Sequence, residues 1–377
     1  MKFAKLAGVL AGFVICAAAI ACSWDEDTVA QEAKGLPGVY DAVAGRMEIN
    51  PPLYYEMRLK RVTEELKSNP LKLENYDNAG VASDKLGKSD DAIEWMVKKK
   101  AILDANTFAA DVKKDHLYRY HANLGTFYAH KWIKNRVWTK DSLLVKGIQE
   151  LETALKINPN AHFGREHVQV KILKLLEKGK GKLYSESKIK EEFGATEGQP
   201  EEFEILSEGI IGMMLLGSGA ESPDMLHLLS IINPESQKLD GITYYRLSDL
   251  SQEGKSKRVL IEESAQLFTE ENQGPKRDPR AAYLALRKNA IEFRENRDSY
   301  MLSRLKEGRH PDTDPAFWKD YHEVPRVNLE AFSPLLQHSE TTALTIYGIL
   351  LLLLCAAVGG VTLFVKGCIA VAGMSKK

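Results

Sequence analysis

Apolar positions recur at helical spacing through most of the chain. In 53–66, for example, Leu59, Val62 and Leu66 lie three and four places apart, which places them on one face of a helix. Strand-like alternation is almost absent, so the predicted fold class is all-α. The predicted helices cover 53–66, 161–177, 203–216, 224–232, 241–252, 258–271 and 281–306.

Two of these patterns end in the same way. Leu66-Lys67-Ser68-Asn69-Pro70 and Leu155-Lys156-Ile157-Asn158-Pro159 share the ending Leu-Lys-x-Asn-Pro. A proline just past a helix stops it. Gly80 and Gly125 lie inside helical patterns, as expected where one helix crosses close to its partner. The spacing therefore predicts helix-turn-helix units that repeat along the chain.

The region resembles the tetratricopeptide repeat (TPR), a helix pair of roughly 34 residues. A first unit, counted from Leu73, and a second, from about Tyr118, carry the large, small, Leu-Gly, Ala and Pro positions of that pattern. Pro70 falls on the closing proline of the preceding unit. Lys99, Asp104 and Gly147 depart from the pattern. The matching residues are Tyr76, Gly80, Leu86, Gly87, Ala92, Leu124, Gly125, Tyr128, Ala154 and Pro159.

This resemblance implies a TPR-like helix-turn-helix solenoid over 35–178, followed by a diverged helical region and membrane-proximal segment in 179–340. The first helices of such units line a concave surface. Asn78 and Asn123 occupy equivalent repeat positions there. In peptide-binding members of the family, an asparagine at this position hydrogen-bonds the ligand backbone, although asparagine also serves helix packing. The resemblance thus implies a protein or peptide partner, with Asn78 and Asn123 as groove candidates.

The N-terminus is typical of a bacterial export signal over 1–21. Lys2 and Lys5 precede an apolar run that ends in Ala19-Ile20-Ala21, a small-x-small cleavage pattern. Cys22 follows directly, and the segment resembles a lipoprotein signal, although Ala19 departs from it. We therefore predict lipidation at Cys22. An uncleaved anchor, or ordinary cleavage that leaves a free thiol, are the alternatives.

The C-terminus carries a second apolar run. Residues 344–365 contain no charge and are long enough for one transmembrane helix. Lysines follow the run, and positive residues stay in the cytoplasm. We therefore predict a single-pass membrane protein with its body in the periplasm and a short cytoplasmic tail, 366–377.

Composition and charge further limit the class of protein to which the chain can belong. Of 377 residues, 44% are hydrophobic and 27% charged, which is typical of a globular body. The formal net charge is −1, and the chain between the lysines at its two ends is acidic, so no nucleic-acid partner is expected. Apart from Cys22, the body between the signal and the span has no cysteine, and it has no Asn-x-Ser/Thr sequon, which favours a bacterial envelope protein.

Catalytic and metal-binding patterns are not evident. His116 and His121 are five residues apart, as are His162 and His167, so neither pair shares a helix face. We expect no cofactor, no metal and no enzyme activity. The predicted function is a membrane-tethered extracytoplasmic TPR scaffold that binds a protein or peptide. The alternative is an envelope enzyme or substrate-binding protein that uses polar residues of 203–321.

Overall fold

A computed structural model describes residues 24–28, 34–135, 142–159, 164–194, 200–217, 219–233, 236–263 and 279–328. The all-α prediction is confirmed within these ranges. They hold twelve α-helices and one short 3-10 helix, and their only β-type pairing is an isolated parallel bridge between Tyr184 and Ile261. The described residues from Trp24 to Val327 belong to one compact unit, and Asn328, the last described residue, belongs to a second.

Twelve α-helices follow one another along the described residues. Their bounds are α1 Val39–Ala44, α2 Pro52–Ser68, α3 Glu74–Lys85, α4 Ser89–Ala105, α5 Ala110–Asn135, α6 Leu143–Ile157, α7 Arg165–Gly179, α8 Glu186–Phe193, α9 Pro200–Leu216, α10 Pro223–Ile232, α11 Ser236–Gln252 and α12 Pro279–Lys306.

Sequence neighbours are also neighbours in space. From α2 to α7 each helix packs on the next, and α3 also contacts α5, its counterpart in the following pair. The path continues from α7 to α9, α10, α11 and α12. Helix α12 then packs against α1 and α2, so the last described helix returns to the first.

The closest crossing in the repeat region joins α5 and α6. A Cβ at Gly125 would lie 2.7 Å from the Cγ of Leu151 and 2.8 Å from the carbonyl oxygen of Gly147. At Gly80 it would lie 3.0 Å from Cε of Met96 and 3.1 Å from the Phe127 ring. Both glycines therefore lie at close helix contacts, and backbone is the obstacle only at Gly125.

The other repeat positions lie at junctions and in the core. The hydroxyl of Tyr76 donates to the carbonyl of Pro70 at 3.1 Å. Gly87 follows α3 with a φ of +81°, a conformation that favours glycine. Ala92 and Ala154 are fully buried. Pro159 follows the end of α6 in a turn.

The helix predicted for 258–271 is wrong in its described part. Residues 255–263 are irregular. The carboxylate of Asp224 accepts the backbone N–H groups of Val259, Leu260 and Ile261 at 2.8–3.2 Å. These donors are thereby satisfied by a side chain, and Leu260 and Glu262 pair with Tyr184 through the backbone. The tertiary contact overrides the helical period here.

The predicted signal (1–21), Cys22, the span (344–365) and the tail (366–377) lie outside the described residues. Of the helices that the structure does describe, none is both long and apolar enough to cross a membrane.

Candidate functional site

Residues 24–28 lie against helices α2, α3, α5 and α6, in the region where the repeats are predicted. The sequence from Ser23 to Lys34 reads as polar and loose, and for these five residues that interpretation is wrong. Trp24, Asp25 and Thr28 are buried, and Glu26 and Asp27 are half-buried. We call residues 24–28 the N-terminal segment. It contacts side chains of α2, α3, α5 and α6, which makes this face a site that holds a length of chain.

Two asparagines hold the backbone of the segment. Asn123 Oδ1 accepts the N–H of Trp24 at 2.5 Å, and Asn123 Nδ2 donates to the carbonyl of Trp24 at 3.0 Å. Asn78 Oδ1 accepts the N–H of Glu26 at 3.2 Å. The structure thus brings both groove candidates onto one chain segment. These contacts read the main chain, so they place no demand on side-chain identity.

A buried ion pair fixes Asn123. Its Nδ2 also donates to Asp77 Oδ1 at 3.0 Å, and Asp77 binds Lys99 Nζ at 2.6 and 2.7 Å. Both partners of the pair are fully buried. Burial raises the pKa of Asp77 and lowers that of Lys99, while their mutual attraction opposes both shifts. Lys99, where the repeat pattern has a small residue, is therefore a support for the asparagine.

The indole of Trp24 occupies a pocket at the end of the segment. It packs with Tyr118, Ala122 and Ala154, and the guanidinium of Arg119 lies 3.4 Å from its ring centroid. A guanidinium over an indole face is attracted by the ring quadrupole. The small Ala154 on α6 adjoins the ring, so a repeat position also shapes this pocket.

Arg58 binds both carboxylates of the segment. Its Nη atoms lie 2.9 Å from Asp25 and 2.9 Å from Asp27, and Tyr54 donates to Asp27 at 2.5 Å. Asp312, from the irregular chain after α12, completes the set at 2.6 and 2.7 Å. The Arg58 side chain is 1% exposed. We call Arg58, Asn78, Arg119 and Asn123 the clamp.

The carboxylates around Arg58 differ in their proton affinity. Burial and the neighbouring charge of Asp27 raise the pKa of Asp25 to about 7, although Arg58 opposes the shift. Burial also disfavours ionised Asp312, but bonds to Arg58 prevail and lower its pKa to about 2. Burial likewise opposes the charge on Arg58, but Asp27, Tyr54 and Asp312 outweigh it and hold its pKa above the usual value. The cluster has more negative than positive groups, and Asp25 bears the excess.

Sequence reasoning finds half of the clamp. Repeat phase identifies Asn78 and Asn123, but not Arg58 or Arg119. Each of these arginines lies on an amphipathic helix, where a charged residue normally faces solvent. The run from Asp25 to Asp27 reads only as the start of an exported chain, and no local signal links it to Arg58.

The 203–321 region uses its buried polar groups differently. His227 lies between Glu186, at 2.9 Å, and Arg258, at 3.1 Å. Ser230 donates to Asp240 rather than to the histidine. In the described ranges no group of His, Cys, Asp and Glu is arranged to hold a metal ion. The contribution of this region to the clamp face is Asp312.

Comparison with family models, curated proteins and solved structures finds no match to this chain.

Proposed function

We propose that the protein is a TPR-like scaffold that binds a short segment of a protein partner on the clamp face. It is tethered to the membrane of a bacterial envelope, with this face outside the cytoplasm. The repeat phase and the position of both asparagines support this function.

One observation carries the proposal. Asn123 makes two hydrogen bonds to the main chain of Trp24, and Asn78 makes one to Glu26. An asparagine amide offers both a donor and an acceptor, so Asn123 pairs with both the N–H and the C=O of Trp24, just before the segment becomes helical at Glu26. A face that holds one peptide backbone in this way suits another, because every residue except proline presents the same two groups.

Peptide binding by the full-length chain in detergent tests this function. A Trp24→Ala chain loosens the resident segment, and a labelled peptide with the sequence of residues 23–28 is titrated by fluorescence anisotropy. Adding Asn123→Ala should weaken binding at least tenfold, since two hydrogen bonds are lost. Adding Asn69→Ala, at an exposed asparagine that makes no contact with the N-terminal segment in the structure, is the matched control. Equal affinities in the two double variants would count against the function.

The proposed tether has its own tests. If Cys22 is the first mature residue and carries lipid, the membrane anchor lies two residues from Trp24. Mass spectrometry of the mature N-terminus, compared with a Cys22→Ser variant, decides this. An unmodified wild-type N-terminal peptide would remove the lipid and leave the proposed span.

Topology is tested separately. A reporter enzyme that works only in the cytoplasm should be active when it is fused after Lys377. Activity of a reporter that requires the periplasm would contradict the proposed orientation.

A further inference from the structure

We propose that the clamp face selects segments of the pattern aromatic–acidic–any–acidic, and that Trp24 to Asp27 is a resident copy which a partner's segment of the same chemistry displaces. This inference rests on the proposed peptide-binding function and names the class of partner: an acidic segment led by tryptophan or another large aromatic residue.

Arg58 selects the second and fourth positions: it pairs with the Asp27 carboxylate by charge, and it donates a hydrogen bond to Asp25, whose pKa is raised by burial. Arg58 has a side chain that is 1% exposed, and it reaches Asp25 and Asp27 at 2.9 Å each. The carboxylate of Glu26 is half-exposed and its cationic partner, Arg61, is as far as 3.9 Å away. The third position is therefore weakly selected. A buried guanidinium that loses its carboxylates leaves donors unpaired, which is costly. A segment with a lysine at either position, or with an amide at the fourth, is therefore disfavoured.

The carboxylates of the helices do not compete for this arginine. Asp77 is bound by Lys99, Asp84 contacts His130 at 2.5 Å, and Glu166 accepts from Tyr118 at 2.9 Å. Their acceptor groups are directed to fixed partners on neighbouring helices. Asp312 does bind Arg58, but its bonds leave room for the two carboxylates of the segment.

The first position is selected by shape and by the ring face. Trp24 is 7% exposed among Tyr118, Ala122 and Ala154, beneath Arg119. An aliphatic residue would lose the attraction between ring and cation, and a small one would leave a void. Aromatic residues with a flat face are the ones that fit.

The resident segment does not satisfy every hydrogen-bonding group of the site, because a donor of Asn78 is left unpaired. Its side chain is buried, yet Nδ2 has no hydrogen-bond partner in the structure. Buried amide donors normally have partners. A partner's segment with a carbonyl at this place gains a bond that Trp24–Thr28 does not make. This unfilled donor favours exchange with a segment from another protein.

Competition on the full-length chain tests the exchange. The labelled peptide of residues 23–28 is titrated against wild type and against two variants that loosen the resident segment independently, Trp24→Ala and Asp27→Asn. A tethered segment has an effective concentration of the order of millimolar. Both variants should therefore bind the peptide at least tenfold more tightly than wild type, and circular dichroism verifies their helix content.

Selectivity is tested with three altered peptides on the Trp24→Ala chain: one with alanine for tryptophan, one with asparagine for both aspartates, and one scrambled. Each should bind at least tenfold more weakly than the parent. The added substitution Arg119→Ala in the chain should weaken the parent peptide but not the alanine peptide.

The outcomes separate the two proposals. Equal binding of parent and scrambled peptides would overturn the selectivity and leave the peptide-binding function standing. Binding of no peptide to either loosened variant would overturn both. Equal affinity of wild type and the loosened variants would overturn the exchange alone.

Discussion

Residues 35–178 and residues 179–328 bury polar groups for different purposes. In the first region, Asn123 binds Trp24, which is 99 residues away in sequence. In the second, Asp224 binds the backbone of Val259 to Ile261, 35 to 37 residues along the chain. Both devices satisfy backbone N–H groups with a buried side chain. The first holds an added segment, whereas the second closes a loop between consecutive parts of the same region.

The two regions differ in the kind of side chain that they bury. Helices α9 and α10 bury mainly apolar side chains, among them Ile210, Met213, Met214, Met225, Leu226 and Leu229. Residues 35–178 instead place a layer of ionic and amide groups beneath the N-terminal segment. An apolar core needs no partner, but buried polar groups must be satisfied. The region with more polar groups to satisfy is therefore the better candidate for binding.

Replacing Arg58 with alanine should produce the largest change. The substitution leaves Asp25, Asp27 and Asp312 without their shared cation, and breaking a buried ion pair costs roughly 3–5 kcal/mol of the free energy of unfolding. Urea denaturation of the full chain measures it. Arg304→Ala, which removes an arginine paired with Glu307 and Asp320 near the surface, should change little. Similar losses in both variants would remove the distinction between a buried node and ordinary surface pairs.

The next largest effect is expected at Gly125. Alanine there meets the backbone of Gly147 and should cost about 1–3 kcal/mol of the free energy of unfolding. In Gly80→Ala the nearest atoms, at 3.0 and 3.1 Å, are the ends of the Met96 and Phe127 side chains, which have to shift by only a few tenths of an ångström. Alanine also favours a helix over glycine by about 1 kcal/mol, so Gly80→Ala should be near neutral. Thermal melting of both variants compares them, and an equal loss would argue against the close α5–α6 crossing.

A smaller and local effect is expected from Asp224→Asn. The amide keeps one acceptor oxygen, so part of the three-donor contact is lost, at about 1–2 kcal/mol. Hydrogen exchange should rise in 255–263 and remain unchanged in 24–28. A rise in both places would mean that the second region also supports the clamp.

The smallest effect concerns pH. The pKa of Asp25 rises from 3.8 to about 7 when the segment is buried, so the docked form favours the proton. This contribution to docking is complete below about pH 4 and is lost as pH rises through about 7. The charged neighbours Asp27, Arg58 and Lys85 are included in this shift. Asp312, with its lowered pKa, acts in the opposite sense only below about pH 4.

Hydrogen exchange of residues 24–28, corrected for the intrinsic effect of pH, should show more protection at pH 6 than at pH 8. In Asp25→Asn, which cannot ionise, the difference should vanish. A wild type whose protection rises with pH would reverse the assigned sign.

The sequence predicts those parts that depend on local patterns. The expected helices at 53–66, 203–216, 224–232 and 281–306 agree with α2, α9, α10 and α12 to within a few residues, because one-sided burial leaves a periodic trace. Repeat phase also identifies Asn78 and Asn123. Each of these inferences compares residues within one repeat length or between equivalent positions of two repeats.

Long-range pairing leaves no such trace. Arg58 and Asp312 are 254 residues apart, and no sequence pattern around either residue predicts that they pair. The sequence around Trp24 predicts a loose polar segment, whereas in the structure its ring lies beneath Arg119. Residues 258–261 carry a helical period that Asp224 overrides. In each case a contact between distant parts of the chain decides the structure, and composition alone does not encode it.

The contact between Arg58 and Asp312 also sets an order of events during synthesis. Arg58 and the N-terminal segment leave the ribosome early, but the third carboxylate follows 254 residues later. At about 5–20 residues per second, that interval is roughly 10–50 s. During it, Arg58 can pair with Tyr54 and with the aspartates of the segment, but not with Asp312. The nascent protein therefore engages its own leading residues first, and the last link is added when α12 has been made. The complete set of ion pairs at Arg58 therefore forms only after the helices up to α12 have been synthesised.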